Sequence, residues 1–307
     1  MANWVGGASG LLNPLVEALG DYVLAAGKIH ADDTPVPVLD PGRGKTKTGR
    51  LWTYVRDDRP AASRDPPAVW YRYSPDRKGE HPQGHLRDFH GILQADAYSG
   101  FAALYERERI VEASCWAHAR RKFYDLYVAH RSPLAAQAMQ RIGALYAIEA
   151  QIRGTPPRVR AAYRQEHAVP LLAELHAWLS ATLQRVSAKS ELAQAIKYAL
   201  VRWPQLTRYG GDGRIEIDNN SAERSIRPLV LGRRNYLFAG SDTGGERAAN
   251  IYSLIGSAML NAIDPYLYLR HVLERIAEHP VNRVAELLPW NVPLAQATQS
   301  LCAEASA

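Results

Sequence analysis

The sequence contains little cysteine, with only Cys115 and Cys302 among 307 residues. Two cysteines cannot supply the disulfide framework that is typical of small secreted domains, so we expect the protein to work in a reducing compartment. No basic residue precedes Lys28, and proline and acidic residues interrupt the apolar positions before it. This start argues against a signal peptide and a membrane span, and its apolar spacing predicts a short amphipathic helix.

Several familiar catalytic motifs are absent as well. The glycine-rich run at 240–245 lacks the Gly-Lys-Ser/Thr ending of a nucleotide-binding loop, and no Gly-x-Ser-x-Gly elbow indicates acyl transfer. Cys115 and His118 have the spacing of metal ligands, but no second Cys or His pair follows them, and a structural zinc ion normally takes four ligands. We therefore favour a buried cysteine and a surface histidine at these positions.

Basic residues are in modest excess. Lys and Arg number 37 against 31 Asp and Glu, which gives a net charge of +6 and a pI near 9.3. This balance favours a polyanionic partner, and the alternative is an enzyme that is basic only incidentally. The length suits one large domain with an insertion, or two domains.

The order of the predicted elements indicates an α/β fold. Apolar and alternating runs predict strands at 28–34, 51–55, 68–73, 91–96 and 110–114. Three strands with hairpin-like links, followed by strands separated by short helices, give a mixed sheet with at least one parallel pair, which is the ribonuclease-H-like order.

Apolar stripes at helical spacing next predict an all-helical insertion within this α/β fold. Beyond it, the sequence predicts a helix from about Asp218, a strand at 234–239, and helices that begin near Glu246 and at Pro265. The expected divisions are an N-terminal helix (1–27), the first part of the core (28–130), the helical insertion (131–205), the second part of the core (206–280) and a C-terminal tail (281–307).

Two of the most informative carboxylates lie on predicted strands. Asp96 ends an apolar run, at the end of a strand where open α/β sheets place their sites. Asp32 and Asp33 are adjacent, so their side chains point to opposite faces and only one can enter a shared pocket. We favour Asp32, because it falls on the more polar face with His30 and Thr34, which we expect to be the open one. An acidic pair in a simple turn is the alternative.

A third carboxylate, Glu223, lies in the first turns of the helix predicted from Asp218. On that helix Asn220, Glu223, Arg224 and Arg227 share one face. Such groups suit a surface for metal and phosphate, and the alternative is a solvated helix start with an internal Glu-Arg pair. If the three carboxylates come together, they can hold two divalent metal ions about 4 Å apart, a geometry suited to phosphodiester chemistry.

Clusters of basic residues flank these carboxylates. Any one cluster is more often a solvated surface, but several around one acidic pocket favour contacts with a phosphate backbone. The predicted DNA-binding residues are Arg43, Lys45, Lys47, Arg50, Arg120, Arg121, Asn220, Arg224, Arg227, Arg233 and Arg234.

Five ordered segments carry a resemblance to a known family. They are His30–Val36, Leu93–Phe101, Cys115–Phe123, Asp218–Arg224 and Gly232–Ser241. In this order they resemble the transposase of insertion sequence family sixty-six, of the TnpC type. The closing run Leu288–Asn291 also looks like the end of that family, so the resemblance covers nearly the whole chain.

The resemblance implies a ribonuclease-H-like catalytic core with a DDE triad at Asp32, Asp96 and Glu223. Such a core uses two Mg²⁺ or Mn²⁺ ions to nick DNA and transfer strands. The implied partners are element-end and target DNA, further copies of the chain in the DNA complex, and other element-encoded proteins, with no membrane. The implied location is the bacterial cytoplasm, on the nucleoid when DNA is bound. The family's usual Asp-Glu-Thr reads Asp-Asp-Thr here, which keeps Asp33 as an alternative first carboxylate.

Two other functions compete with the transposase. One is a ribonuclease-H-like, structure-selective nuclease that hydrolyses strands without joining them. The other is an inactive DNA-binding remnant, since family members usually carry a long upstream region for recognising element ends. We expect that region to be missing here.

Overall fold

Five β-strands form one mixed sheet in the computed structural model, which describes residues 2–106, 109–232 and 238–293, with side chains from residue 6 onward. The sheet order is β3-β2-β1-β4-β5. The pairs β1 with β2 and β2 with β3 are antiparallel, whereas β1 with β4 and β4 with β5 are parallel. The predicted mixed sheet with a parallel pair is confirmed. The strands are β1 (Lys28–Asp40), β2 (Lys45–Arg56), β3 (Ala68–Ser74), β4 (Gly91–Ala95) and β5 (Ile110–Ala113).

Helices surround the sheet and form most of the rest of the described chain. Short 3₁₀ turns lie at 59–61, 99–101, 208–210, 281–287 and 289–291. None of the described helices has the length and apolar character that a membrane span needs. The α-helices are α1 (Ala2–Leu24), α2 (Glu80–His85), α3 (Ala102–Tyr105), α4 (Trp116–His130), α5 (Pro133–Ile152), α6 (Pro157–Arg185), α7 (Glu191–Val201), α8 (Trp203–Thr207), α9 (Asn220–Gly232), α10 (Asp242–Leu260) and α11 (Pro265–Leu273).

Local capping explains several helix starts. Ser132, Ser190, Ser241 and Asp264 each accept a hydrogen bond from the backbone N–H three residues later, which satisfies a donor that the helix leaves free. Because of the cap at Ser241, α10 starts at Asp242 and not near Glu246 as predicted. The helix predicted at Pro265 is confirmed. Most of the predicted strand 234–239 lies outside the described residues.

The two faces of the sheet bury different helices. On one face, Leu15, Leu19 and Val23 of α1 pack with Trp52 and Trp70. On the other face, α9 packs against the C-terminal half of β1. The core there includes Val36, Val38, Tyr71, Ala222 and Leu229. Both faces of the sheet therefore carry packed helices.

Helix α10 lies along β3, the edge strand of the sheet. The N–H of Tyr71 donates to Ser253 Oγ (2.8 Å), and the N–H of Val69 donates to Ser257 Oγ (3.0 Å). Gly256 allows this approach, since a Cβ atom there would lie 2.7 Å from Val69 Cγ1. The serines satisfy backbone donors that an edge strand would otherwise leave free.

Helices α4 to α8 share a separate apolar core that includes Trp116, Phe123 and Leu145, and it reaches the sheet at Ile92 and Ala113. These helices cover residues 116–207, which agrees with the apolar stripes that predict helices from 116 to about 203.

Buried ion pairs join helices of this region to one another and to the segment before α9. Arg160 Nη1 donates to Glu216 Oε1 (2.7 Å), and Arg164 Nη2 donates to Glu149 Oε2 (2.6 Å). Gln94 of β4 bonds both the carbonyl and the N–H of Glu216 (2.6 and 3.1 Å). This network fixes the entry to α9 against β4.

Candidate active site

Asp32 and Asp96 lie at the same level of two adjacent parallel strands. The pairing of β1 with β4 ends at Ala31 and Ala95, and the two aspartates are the next residues along the chain. Neighbouring strands lie about 4.8 Å apart, so both carboxylates leave this part of the sheet close together. The strand that carries Asp32 is longer than the predicted 28–34, because the hairpin with β2 continues to Asp40.

The surroundings of Asp32 disfavour its charged form. Burial raises the pKa of Asp32 to about 7, and the negative charges of Asp96, Asp33 and Glu223 add to this rise. The N–H of Asp33 donates to Asp32 Oδ1 (2.7 Å) and acts in the opposite direction. Crowded carboxylates are stabilised by a cation, and carboxylate oxygens are the donors that Mg²⁺ and Mn²⁺ prefer. The residues present therefore fit such ions.

Asp33 lies on the opposite face of β1 and is paired with two arginines. Its carboxylate accepts hydrogen bonds from Arg77 Nη2 (2.7 Å) and Arg50 Nη1 (3.0 Å), and only 2% of its side chain is exposed. The two aspartates do point to opposite faces of β1, as the sequence predicted. The reason given for favouring Asp32, that its more polar face is open, is wrong. His30 and Thr34 are both buried, because α9 covers their face.

Asn219 ties the start of α9 to β1. Its buried side chain donates from Nδ2 to the carbonyl of Ala31 (2.8 Å), the residue before Asp32. Its own carbonyl accepts the N–H of Glu223 (3.3 Å). One amide residue thus connects the strand that carries the first carboxylate to the helix turn that carries the third.

A buried histidine supports Asn219. His30 Nδ1 lies 3.0 Å from Asn219 Oδ1, and His30 Nε2 lies 3.2 Å from Lys28 Nζ. Burial, together with the charge of Lys28, lowers the pKa of His30 to about 3, so the ring is neutral at physiological pH. Because an amide oxygen only accepts, the neutral ring carries its proton on Nδ1.

Glu223 neighbours a histidine and a cysteine. Glu223 Oε1 lies 3.9 Å from His118 Nε2, and donor atoms of Glu223, His118 and Cys115 lie within 4.8 Å of one another. Within the described ranges, the carboxylate oxygens of Asp32, Asp96 and Glu223 do not all lie within 4.8 Å of one another. Cys115 is buried as predicted, and burial raises the pKa of its thiol to about 12. His118 is partly exposed, with 33% of its side chain accessible to solvent.

A cleft of about 560 Å³ opens beside Glu223. Arg120 and Arg121 of α4 and Asn220 of α9 line it, so four predicted site residues meet there. Tyr146 of α5 also lines the cleft. The combination of arginines, an amide and an aromatic ring next to a carboxylate suits a nucleic-acid strand.

The other predicted basic residues are dispersed. In the β1–β2 hairpin, Arg43 pairs with Asp40 (3.4 Å), Lys47 with Asp242 (2.6 Å) and Arg50 with Asp33. The remaining predicted cations of the described chain, Lys45, Arg224 and Arg227, are exposed, whereas Arg233 and Arg234 lie outside the described residues.

Comparison with known families identifies the chain. The model "Transposase IS66 family" matches residues 1–247, and the model "IS66 C-terminal element" matches residues 253–290. The chain belongs to the IS66 transposase family. The resemblance drawn from the five sequence segments is thereby confirmed.

Three proteins of Sinorhizobium fredii, each described as uncharacterized, are similar to this IS66 family chain. The protein y4hP is 43% identical over 319 residues, which cover 99% of this chain and 57% of that protein. The proteins y4qI and y4jD are 40% and 38% identical over 95% and 91% of this chain, and over 56% of their own lengths. The chain spans a little over half the length of these relatives.

Three features of this IS66 family site were not predicted from the sequence. Arg77 pairs with Asp33 from a loop far along the chain. Asn219 lies just before α9, and its side chain reaches β1. Tyr146 lies at the cleft because of how α5 packs against α4.

Proposed function

We propose that this chain is the catalytic part of a DDE transposase, which cuts and joins DNA strands with two Mg²⁺ or Mn²⁺ ions. The observation that carries the proposal is the position of Asp32 on β1. It lies beside Asp96, which directly follows the parallel strand β4, and the negative charge of Glu223 contributes to its raised pKa. The strand order β3-β2-β1-β4-β5, with its two antiparallel and two parallel pairings, supports a ribonuclease-H-like core. Membership of the IS66 transposase family supports the same conclusion.

The roles of the residues follow from their surroundings. Asp32, Asp96 and Glu223 would hold the metal ions, which supply Lewis-acid activation of water or of a 3′-hydroxyl and neutralise charge on the phosphodiester. Asp32 must be ionised for this role, so its raised pKa makes metal binding weaken as the pH falls below about 7. Asn219 positions the α9 carboxylate relative to β1.

The basic side chains around the cleft would bind the phosphates of the DNA. Arg120 and Arg121 would hold the strand beside Glu223, with Arg224 and Arg227 on the exposed part of α9. The partners are element-end and target DNA, and further copies of the chain join in the DNA complex. The site of action is the bacterial cytoplasm.

A strand-transfer assay with pre-cut element ends tests this proposal. The 307-residue chain is incubated with labelled end duplex, target plasmid and Mg²⁺, and joined products are separated from hydrolysed ones. Joined products are expected. Hydrolysis without joining would favour a structure-selective nuclease, and DNA binding with neither product would favour an inactive remnant.

A further inference from the structure

Cys115, His118 and Glu223 form a compact group of three different metal-binding side chains. Cys115 directly precedes α4, His118 lies in the first turn of that helix, and Glu223 lies in the first turn of α9. Their donor atoms lie within 4.8 Å of one another. Thiolate, imidazole and carboxylate together suit Zn²⁺, and three protein ligands leave a fourth position for water. We propose that these three side chains bind one Zn²⁺ ion or a similar soft divalent ion.

One possible ligand atom of this group, on His118, has no hydrogen-bond partner among the described residues. The Nδ1 atom of His118 is buried and has no hydrogen-bond partner in the described part of the chain. A buried ring nitrogen without a partner is costly, and a metal ion would satisfy it. One ion takes only one of the two ring nitrogens, and we place it at Nδ1. The other nitrogen, Nε2, lies 3.9 Å from Glu223 Oε1, so the carboxylate is already next to the ring.

The sulfur atom of Cys115 already accepts a backbone hydrogen bond. The N–H of Asn219 donates to Cys115 Sγ (3.1 Å), and the Asn219 side chain is fixed in turn by Ala31. A backbone N–H that points at a sulfur stabilises its negative charge, which metal binding requires. The same residue that positions α9 therefore also positions the thiol.

This site has a consequence that rests on the proposed function, because Glu223 belongs to both groups. A soft ion held by Cys115 and His118 draws the carboxylate of Glu223 away from Asp32 and Asp96. Bound Zn²⁺ should therefore suppress Mg²⁺-dependent cleavage. Hard Mg²⁺ does not compete well for a thiolate, so the two sites differ in the ion that they select.

Cobalt provides a test that does not depend on activity. Co²⁺ replaces Zn²⁺ in such sites, and a thiolate ligand gives it an intense charge-transfer absorption band. The untagged 307-residue chain is titrated with Co²⁺ under reducing conditions in excess Mg²⁺. We expect one Co²⁺ per chain with this band, and loss of the band when Zn²⁺ is added.

Variants identify the ligands. Cys115→Ser should abolish the band. His118→Gln and Glu223→Gln should each weaken Co²⁺ binding at least about tenfold, since even changes outside the ligand shell cost that much. Cys302→Ser, at the other cysteine of the sequence, should keep the band. His81→Gln should keep it too, because Asp76, Glu80 and His81 form a second group without a thiol.

The outcomes separate this site from the proposed function. Absence of the band in the wild type would overturn the inference, as would a band that both His118→Gln and Glu223→Gln leave unchanged. If Cys115→Ser fails to fold by circular dichroism, the two other ligand variants decide. A band in a chain that never cuts DNA would keep the metal site and reject the transposase activity, whereas cutting without a band would do the reverse.

Discussion

At the scale of single residues, the burial of Asp32 disfavours its own negative charge. Its pKa of about 7 in the folded chain lies above the ordinary value of 3.8, so ionisation destabilises the fold increasingly as the pH rises from about 4 to 7. Asp32→Asn should therefore raise the free energy of unfolding at pH 8, by up to about 4 kcal/mol, and by less at pH 5. Urea unfolding in EDTA at both pH values measures this.

The control for Asp32→Asn is Asp88→Asn, because 82% of the Asp88 side chain is exposed. Its stability should match that of the wild type at both pH values. A smaller gain for Asp32→Asn at pH 8 than at pH 5 would contradict the account of this carboxylate.

The neighbouring aspartate should respond in the opposite direction. Asp33→Asn leaves Arg50 and Arg77 without their shared carboxylate, and Asp33 itself is buried. We expect the variant to lose about 1 to 3 kcal/mol at pH 8, less than for a fully buried pair because Arg77 is 40% exposed. Urea unfolding beside Asp32→Asn measures the contrast, and equal stabilisation of both variants would show that the faces of β1 are misassigned.

The sequence predicted the positions of some of these residues but not of others. The position of Asp96 directly after a strand was predictable, because it follows a short apolar run. The side chains of Asp32 and Asp33 do point to opposite faces, as strand alternation predicts. The premise that the more polar face is open was wrong, because His30 on that face is buried, and a polar residue can be buried once it has a hydrogen-bond partner. That partner, Asn219, lies far away in sequence, so no local pattern indicates it.

At the scale of elements, α10 stabilises the edge of the sheet through Ser253 and Ser257. Replacing both serines by alanine leaves the N–H groups of Val69 and Tyr71 without acceptors in a buried position. We expect a loss of roughly 2 to 6 kcal/mol for the pair, at about 1 to 3 kcal/mol for each unsatisfied group. Chemical denaturation measures the loss, with Ser63→Ala in an exposed loop as the control. A stability within 0.5 kcal/mol of the wild type, roughly the range of surface substitutions, would contradict this role.

The cations around the site should not contribute equally to DNA binding. Arg120 and Arg121 are exposed at the cleft, whereas Lys47 is paired with Asp242 at 2.6 Å. Replacing both arginines by alanine should weaken binding to any duplex and lower the salt slope by about 2, because about one counterion is released per phosphate contact. Lys47→Ala should have a smaller effect on both.

Fluorescence anisotropy at several salt concentrations measures this ranking. An equal or larger effect of Lys47→Ala would place the DNA along the β1–β2 hairpin and not along the cleft. The sequence could not give this ranking, because all these residues lie in similar basic runs. Their difference arises from Asp242, which the fold brings to Lys47 from nearly 200 residues away.

At the scale of the whole molecule, the candidate site depends on how the helical region joins the sheet. The periodicity of apolar residues was enough to predict this region, but not its contacts. Arg160, Glu216 and Gln94 connect α6, the segment before α9 and β4 through buried bonds. The helical region thus sets where α9 begins, and with it the position of Glu223. Such a network has no sequence pattern, because each partner lies on a different element.

The most direct test of the central claim is Mg²⁺-dependent cleavage of DNA by the wild-type chain and by Asp96→Asn. The wild type should cut duplex DNA in Mg²⁺ or Mn²⁺ and not in EDTA. Asp96→Asn should bind the duplex as the wild type does but lose cleavage, because a carboxylate for the metal is gone. Asp88→Asn, a matched exchange on the surface, should cut normally. Metal-independent cutting by the wild type, or undiminished cutting by Asp96→Asn, would contradict the account.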